Sequence, residues 1–117
     1  MAKFLNFFPR QMVGGGTAVT SLYSAPVEVG EATSVEAELR IFAASGMGIN
    51  FVSGIIETTY DPFLVAGWAD YGTACSGSVA GNYPVTTASA PKRFARARVV
   101  MPSGGFAMVS FSARAFC

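Results

Sequence analysis

The chain has 117 residues, enough for one domain with its own core. Hydrophobic residues make up 51% and charged residues only 13%, against about 25% charged in a usual soluble domain, so a charge-poor surface prone to association is expected. Net charge is +1 and histidine is absent, which excludes Ser-His-Asp and Cys-His catalysis and any His-based metal site.

Residues 1–13 carry Phe4, Leu5, Phe7, Phe8, Met12 and Val13 around Pro9, and end in Gly14-Gly15-Gly16, a flexible joint. Two readings stay open. The segment is either a first strand folded on the domain's own core or an arm that docks on a neighbour, since a free apolar arm in water would aggregate. Residues 18–25 are short and rich in β-formers, and Pro26 and Gly30 bracket the next turn. Residues 34–44 alternate, with Val35, Ala37, Leu39, Ile41 and Ala43 on one face and Glu36, Glu38 and Arg40 on the other, the period of a half-buried strand. After a turn at Ser45-Gly46-Met47-Gly48, residues 49–59 form another β-rich run in which Gly54 predicts a bulge or a close backbone approach. Tyr60-Asp61-Pro62 breaks it, residues 63–71 carry the single tryptophan Trp68, and residues 72–82 read as a Gly/Ser-rich loop around a short strand. Pro84 and Pro91 bracket residues 85–90.

Residues 93–101 alternate again, with Ala95, Ala97, Val99 and Met101 on one face and Phe94, Arg96, Arg98 and Val100 on the other. Pro102-Ser103-Gly104-Gly105 then predicts a hairpin into a last strand, residues 106–116, whose Ala107, Val109, Phe111, Ala113 and Ala115 share one face. No helical stripe of ten or more residues competes. The expected fold is all-β, a single jelly-roll-like antiparallel β-sandwich with an extended N-terminal arm: residues 1–16 as arm and Gly hinge, residues 17–117 as sandwich domain.

All seven acids lie between Glu28 and Asp70, and beyond Tyr71 there are only bases: Lys92, Arg93, Arg96, Arg98 and Arg114. Either the two groups pair inside one fold, or opposite patches on neighbouring subunits set the register of an assembly. Nucleic-acid binding by the arginine stripe is not expected, because no recognition motif accompanies it. Glu57, Asp61 and Asp70 are the carboxylates a hydrolase would need, but Asp61 before Pro62 is ordinary turn chemistry. Their spacing matches no calcium loop, and Gly14-Gly15-Gly16 lacks the lysine of a phosphate loop. Trp68 is expected in the core; the competing reading puts it with Tyr60 and Tyr71 on an exposed sugar-binding platform. Cys75 and Cys117 make neither a disulfide framework nor a zinc site. No secretion signal or membrane-length apolar run is visible, so synthesis in a reducing cytoplasm, with both thiols free, is the expectation.

The order of these motifs carries a resemblance. A strand runs into Ser45-Gly46; Glu57-Thr58-Thr59-Tyr60-Asp61 ends the next; Trp68-Ala69-Asp70 follows; and Lys92-Arg93-Phe94-Ala95-Arg96-Ala97-Arg98 leads through a Gly-Gly turn to an apolar final strand ending near Arg114. Residues 34–115 thereby resemble the small β-sandwich virion proteins of tailed bacteriophages, departing from their pattern at Thr59, where Ser is usual, and at Phe63, where a Gly turn is usual. Arg93 and Arg96 match the family's arginine pair. The resemblance implies a virion component without catalysis or cofactor, made in the host bacterial cytoplasm. It would be similar to capsid decoration (cement) proteins that bridge the major capsid protein or other virion subunits, often as trimers; tail or neck placement is the alternative, as is a carbohydrate-binding module. The expected contacts are Phe4, Leu5, Phe7 and Phe8 as anchors and Arg96 and Arg98 as charged partners, burying an area near ~1,600 Å².

Overall fold

Side chains point alternately to the two faces of a strand, so a segment with period-two hydrophobicity offers one face to a core and one to solvent. The computed structural model of the protein describes residues 2–14, 19–46 and 51–117, and among these nine strands form: β1 (Ala2–Gly14), β2 (Thr20–Tyr23), β3 (Val27–Glu28), β4 (Ser34–Ser45), β5 (Val52–Thr59), β6 (Ala69–Gly77), β7 (Gly81–Thr87), β8 (Phe94–Met101) and β9 (Phe106–Phe116). The first sheet has the order β1-β9-β4-β7 and the second β2-β8-β5-β6, with β3 also paired to β8. Every pairing is antiparallel. Among the described strands, β5 and β6 alone pair with a sequence neighbour; β2 and β3 follow each other along β8, and every other connection crosses between the sheets. This interleaving of a four-stranded and a five-stranded sheet is jelly-roll-like.

The core lies between the sheets. Leu39, Val109 and Phe111 come from the first sheet, and Val52, Ala97, Val99 and Met101 from the second, each almost wholly removed from water. The alternating faces read from β4, β8 and β9 are the faces that are buried, with one exception. A register shift between Ile41 and Ala43 inserts Phe42 as an extra residue, and Ala43 turns outward while Ala44 packs on the core.

Three expectations are corrected. The glycine-rich turn before residue 106 does not close a hairpin: β8 pairs with β5 and β2, whereas β9 pairs with β1 and β4. Gly104, at φ +78°, makes a turn that carries the chain from one sheet to the other. Both strands have a strongly apolar inner face, and stacking those faces across the sandwich buries both, which side-by-side pairing would not do. Residues 72–82 are not mainly loop, because β6 and β7 take up most of them, and Pro84 lies inside β7 rather than before it. β7 is an edge strand, where a residue without an N–H is tolerated.

The third correction concerns the N-terminal arm. Residues 2–14 are a strand of the sandwich, paired with β9 from Ala2↔Phe116 to Gly14↔Phe106. Leu5, Phe7, Phe8 and Val13 belong to the core, while Phe4 and Met12 stay exposed. Register shifts on either side of Phe8 break the alternation, which lets the consecutive Phe7 and Phe8 both turn inward; Phe7 stacks on Phe111 with ring centroids 6.2 Å apart. No domain boundary therefore separates residues 1–16 from the rest. Of the expected hinge, Gly15 and Gly16 lie outside the described residues, as do Met47 and Gly48 of the turn after β4.

Gly54 is where the expected close approach occurs. The register shifts between Gly54 and Ile56, and a Cβ at Gly54 would stand 2.9 Å from two ring carbons of Phe111. Gly54→Ala is expected to lower unfolding stability by about 1–3 kcal/mol through overpacking. In a Phe111→Leu background the same substitution should cost less, and a denaturant-based double-mutant cycle measures the difference. Equal costs in both backgrounds would mean that Phe111 is not what excludes the methyl group.

Candidate functional site

In β8 the alanines of Phe94-Ala95-Arg96-Ala97-Arg98 face the core, so the two arginines stand on the outer face of the second sheet. The register sets Glu57 of β5 beside Arg96 on one side and Asp70 of β6 on the other. Glu57 is only 5% exposed. Arg96 Nε donates to its Oε1 at 2.9 Å, and Arg98 Nη1 to its Oε2 at 3.0 Å. Arg98 Nη2 reaches Asp70 Oδ1 at 3.4 Å, and Arg98 Nε is buried without a hydrogen-bond partner. Two guanidinium groups thus meet two carboxylates, and the cluster is electrically balanced.

Aromatic rings cover it. The Arg96 guanidinium lies 4.3 Å from the Trp68 ring centroid and 4.5 Å from that of Tyr23, within cation–π range of both. Trp68 is therefore not in the intersheet core. It follows a single 3-10 turn (Val65–Gly67) and lies half-buried on the outer face, outside the sandwich, because β6 begins only at Ala69.

Local hydrogen bonds shape the segment between β5 and β6. Thr59, 2% exposed, accepts the Asp61 N–H at 3.2 Å, and Asp61 Oδ1 accepts the Phe63 N–H at 3.0 Å, an Asx turn. Leu64 N–H donates to the Asp61 carbonyl, and Gly67 N–H to that of Leu64. These bonds turn apolar side chains outward: Tyr60 is 74% exposed, Phe63 93% and Leu64 57%. Lys92 sits over the Tyr60 ring at 5.7 Å.

The residues singled out from sequence separate into groups. Leu5, Phe7 and Phe8 are core residues and not free to anchor on a partner; Phe4 is exposed on the first sheet. Arg96 and Arg98 come together, but their charges are met inside the chain, and Arg93 pairs with Glu28 at 3.4 Å, so Glu28, Glu57 and Asp70 of the early acids pair with Arg93, Arg96 and Arg98 of the late bases. Tyr71, Tyr60 and Trp68 do not form one platform. Tyr71 is buried and its hydroxyl donates to the Ser89 carbonyl; burial pushes its pKa up, partly opposed by the Ser89 side chain. Glu57 and Asp70 are neighbours, but both Glu57 oxygens are occupied by arginine, and Asp61 is engaged in its turn. Among the described residues no cluster of His, Cys, Asp or Glu could hold a metal ion. Both cysteines are free: Cys117 is exposed, and burial raises the thiol pKa of Cys75, whose Sγ lies 3.8 Å from the Ala37 carbonyl. Sequence reasoning did not find Glu57 as the hub of the outer face, nor Tyr23. The available signal was a lone acid in an uncharged strand, answered by Arg-x-Arg in another.

No protein-family model and no curated protein sequence matches the chain. Solved structures do. The PBSX exported protein XepA matches all of this chain with a TM-score of 0.65 at 12% identity, and the chain spans 37% of XepA. A family 6 carbohydrate-binding module from Cellvibrio mixtus lichenase 5A, in complex with cellotriose, matches over 98% of this chain and 97% of its own, with a TM-score of 0.55 at 13% identity. Murine APRIL matches along the whole of both chains with a TM-score of 0.57 at 7% identity. The shared property is the jelly roll. None of the described helices is long and apolar enough to cross a membrane.

Proposed function

We propose that this chain is a structural virion subunit, a capsid decoration or cement protein, that holds neighbouring capsid proteins together by buried surface rather than by chemistry. The observation that carries the reading is the 60–64 loop. A phenylalanine that is 93% exposed, beside an exposed Tyr60 and Leu64, is held out by a network of backbone hydrogen bonds. An apolar side chain turned out into water by its loop suits a partner's pocket. Supporting it is the motif order of residues 34–115, which resembles tailed-phage virion proteins. The loop takes over the anchoring role expected of residues 4–8.

The reading is tested on purified phage particles from the producing host. The chain should co-sediment with them, and particle imaging should locate it on the shell; density confined to tail or neck would move it there, and absence from particles would remove the reading. Phe63→Asp with Leu64→Asp should weaken particle binding at least roughly tenfold, because anchor residues contribute about 2 kcal/mol or more each. Stability should change by less than about 0.5 kcal/mol, as expected for exposed positions. Unchanged binding would exclude the loop as the anchor.

A second reading, glycan binding, is favoured by one feature: Trp68 and Tyr23 lie on the outer face of a fold shared with carbohydrate-binding modules. Arg96 occupies the gap between those rings. Trp68 fluorescence titrated against a glycan panel separates the readings, since only a sugar-binding face gives a saturable change.

A further inference from the structure

The outer face of the first sheet carries a charge sequence that the chain does not neutralise. Going along β4, the outward residues are Glu36, Glu38, Arg40 and Phe42. Glu36, Glu38, Arg40, Arg10 and Arg114 make no ion pair among the described residues. Arg10 and Arg40 lie 4.5 and 5.0 Å from the Phe42 ring centroid, so both are within cation–π range of one aromatic residue. Arg10 Nε also reaches Met108 Sδ at 3.0 Å. The face thus carries Glu36 and Glu38, with Arg114 beside Glu36, toward one end of β4, and Arg40 and Arg10 toward the other. Its two ends also carry exposed apolar side chains, Phe4 at one, Met12 and Phe106 at the other.

We propose that two copies of this chain dock face to face through this sheet, related by a twofold axis that crosses the strands between Glu38 and Arg40. The register supports this placement. Such an axis lays β4 over its own copy and brings the Glu38 row opposite the Arg40 row, twice per dimer. The Phe4–Arg114–Glu36 row then meets the Met12–Met108–Ala43 row, and the Ser34–Phe116 row meets the Ser45–Phe106 row. Glu38 and Arg40 then face each other as unlike charges, Phe4 meets Met12 and Phe116 meets Phe106, as an isologous contact requires, while Arg114 and Glu36 lie over Met108 and Ala43. A parallel arrangement would set acid against acid. The area is sufficient. Four strands about 4.8 Å apart, over the 11 residues of β9 at about 3.4 Å each, give a face of roughly 600–700 Å² per copy, near the roughly 800 Å² per partner of a stable contact. This contact lies on the first sheet and is independent of the loop after β5 and of what that loop binds.

The test is the oligomeric state of the full chain by analytical ultracentrifugation over a concentration series. The wild-type chain should form a dimer whose dissociation constant rises with salt. Arg40→Glu sets two pairs of carboxylates against each other and should weaken dimerisation at least roughly tenfold; Glu38→Arg should do the same with guanidinium groups. The exchange variant carrying both changes should recover the dimer, while circular dichroism verifies that all three variants are folded. A wild-type chain that stays monomeric at every concentration overturns the proposal. So does a trimer, or an assembly that the single reversals leave unchanged, or a double variant that fails to recover.

Discussion

Removing residues 1–13 is expected to abolish the folded domain rather than to release a functional arm. β1 is hydrogen-bonded to β9 along its whole length and contributes Leu5, Phe7, Phe8 and Val13 to the core. Burial of such side chains stabilises by about 1.5–3 kcal/mol each, so the four together supply on the order of 6–12 kcal/mol as an upper estimate. That is comparable to the whole stability of a domain, about 5–15 kcal/mol. The deletion also uncovers Phe111, which Phe7 stacks on, and leaves β9 as a bare edge. The truncated chain should lack a cooperative thermal transition and should aggregate. Phe4→Ser, at an exposed position of the same strand, should leave the transition nearly unmoved. A truncated protein that melts cooperatively would show that β1 is dispensable.

Glu57→Gln is expected to be the most damaging single polar substitution. The carboxylate is buried and bonds Arg96 and Arg98, whose side chains are 23% and 29% exposed. Removing the acid leaves the poorly solvated Arg96 without a counter-charge and Arg98 with only the exposed Asp70. Breaking a buried ion pair costs about 3–5 kcal/mol, and the partial exposure of the arginines argues for the low end, about 3 kcal/mol. For a domain of this size that corresponds to a fall in Tm of roughly 10 °C. Asp70 is 56% exposed and shares only Arg98, so Asp70→Asn should cost less than about 1 kcal/mol. Thermal melts of the two variants side by side test the ranking. Trp68 adds a second readout, since freeing Arg96 alters the surroundings of the sole tryptophan and should shift its emission. Equal losses in the two variants would show that Glu57 is not the hub of the face.

The candidate site was only partly legible. Arg96 and Arg98 stood out because Arg-Ala-Arg on an alternating strand must project both charges to one side. Their partner was not legible, because Glu57 lies 39 residues from Arg96 and meets it only through the pairing of β5 with β8. The exposed Phe63 was equally hidden. A phenylalanine after Asp-Pro reads as ordinary apolar sequence, and its exposure follows from a turn held by Thr59 and Asp61. Trp68 was assigned to the core from its residue type; its position one residue before β6 puts it on the opposite face.

What the sequence determined by itself is the all-β class and the inner faces of β4, β8 and β9. Alternation is a local property: the pleat sends each side chain to the face opposite its neighbour's, and a run such as Ala95, Ala97, Val99, Met101 needs no partner to reveal which face is buried. Which strands lie side by side was decided by the tertiary structure. β8 and β9 looked like a hairpin because a strong turn joins them, yet they belong to different sheets. The N-terminal segment allowed two readings until β9 was found to have an open side for it to pair with. Pairing is set by the burial of two inner faces against each other and by the need of each exposed edge for a neighbour. Both are properties of the assembled sandwich, and neither is visible within a window of ten residues.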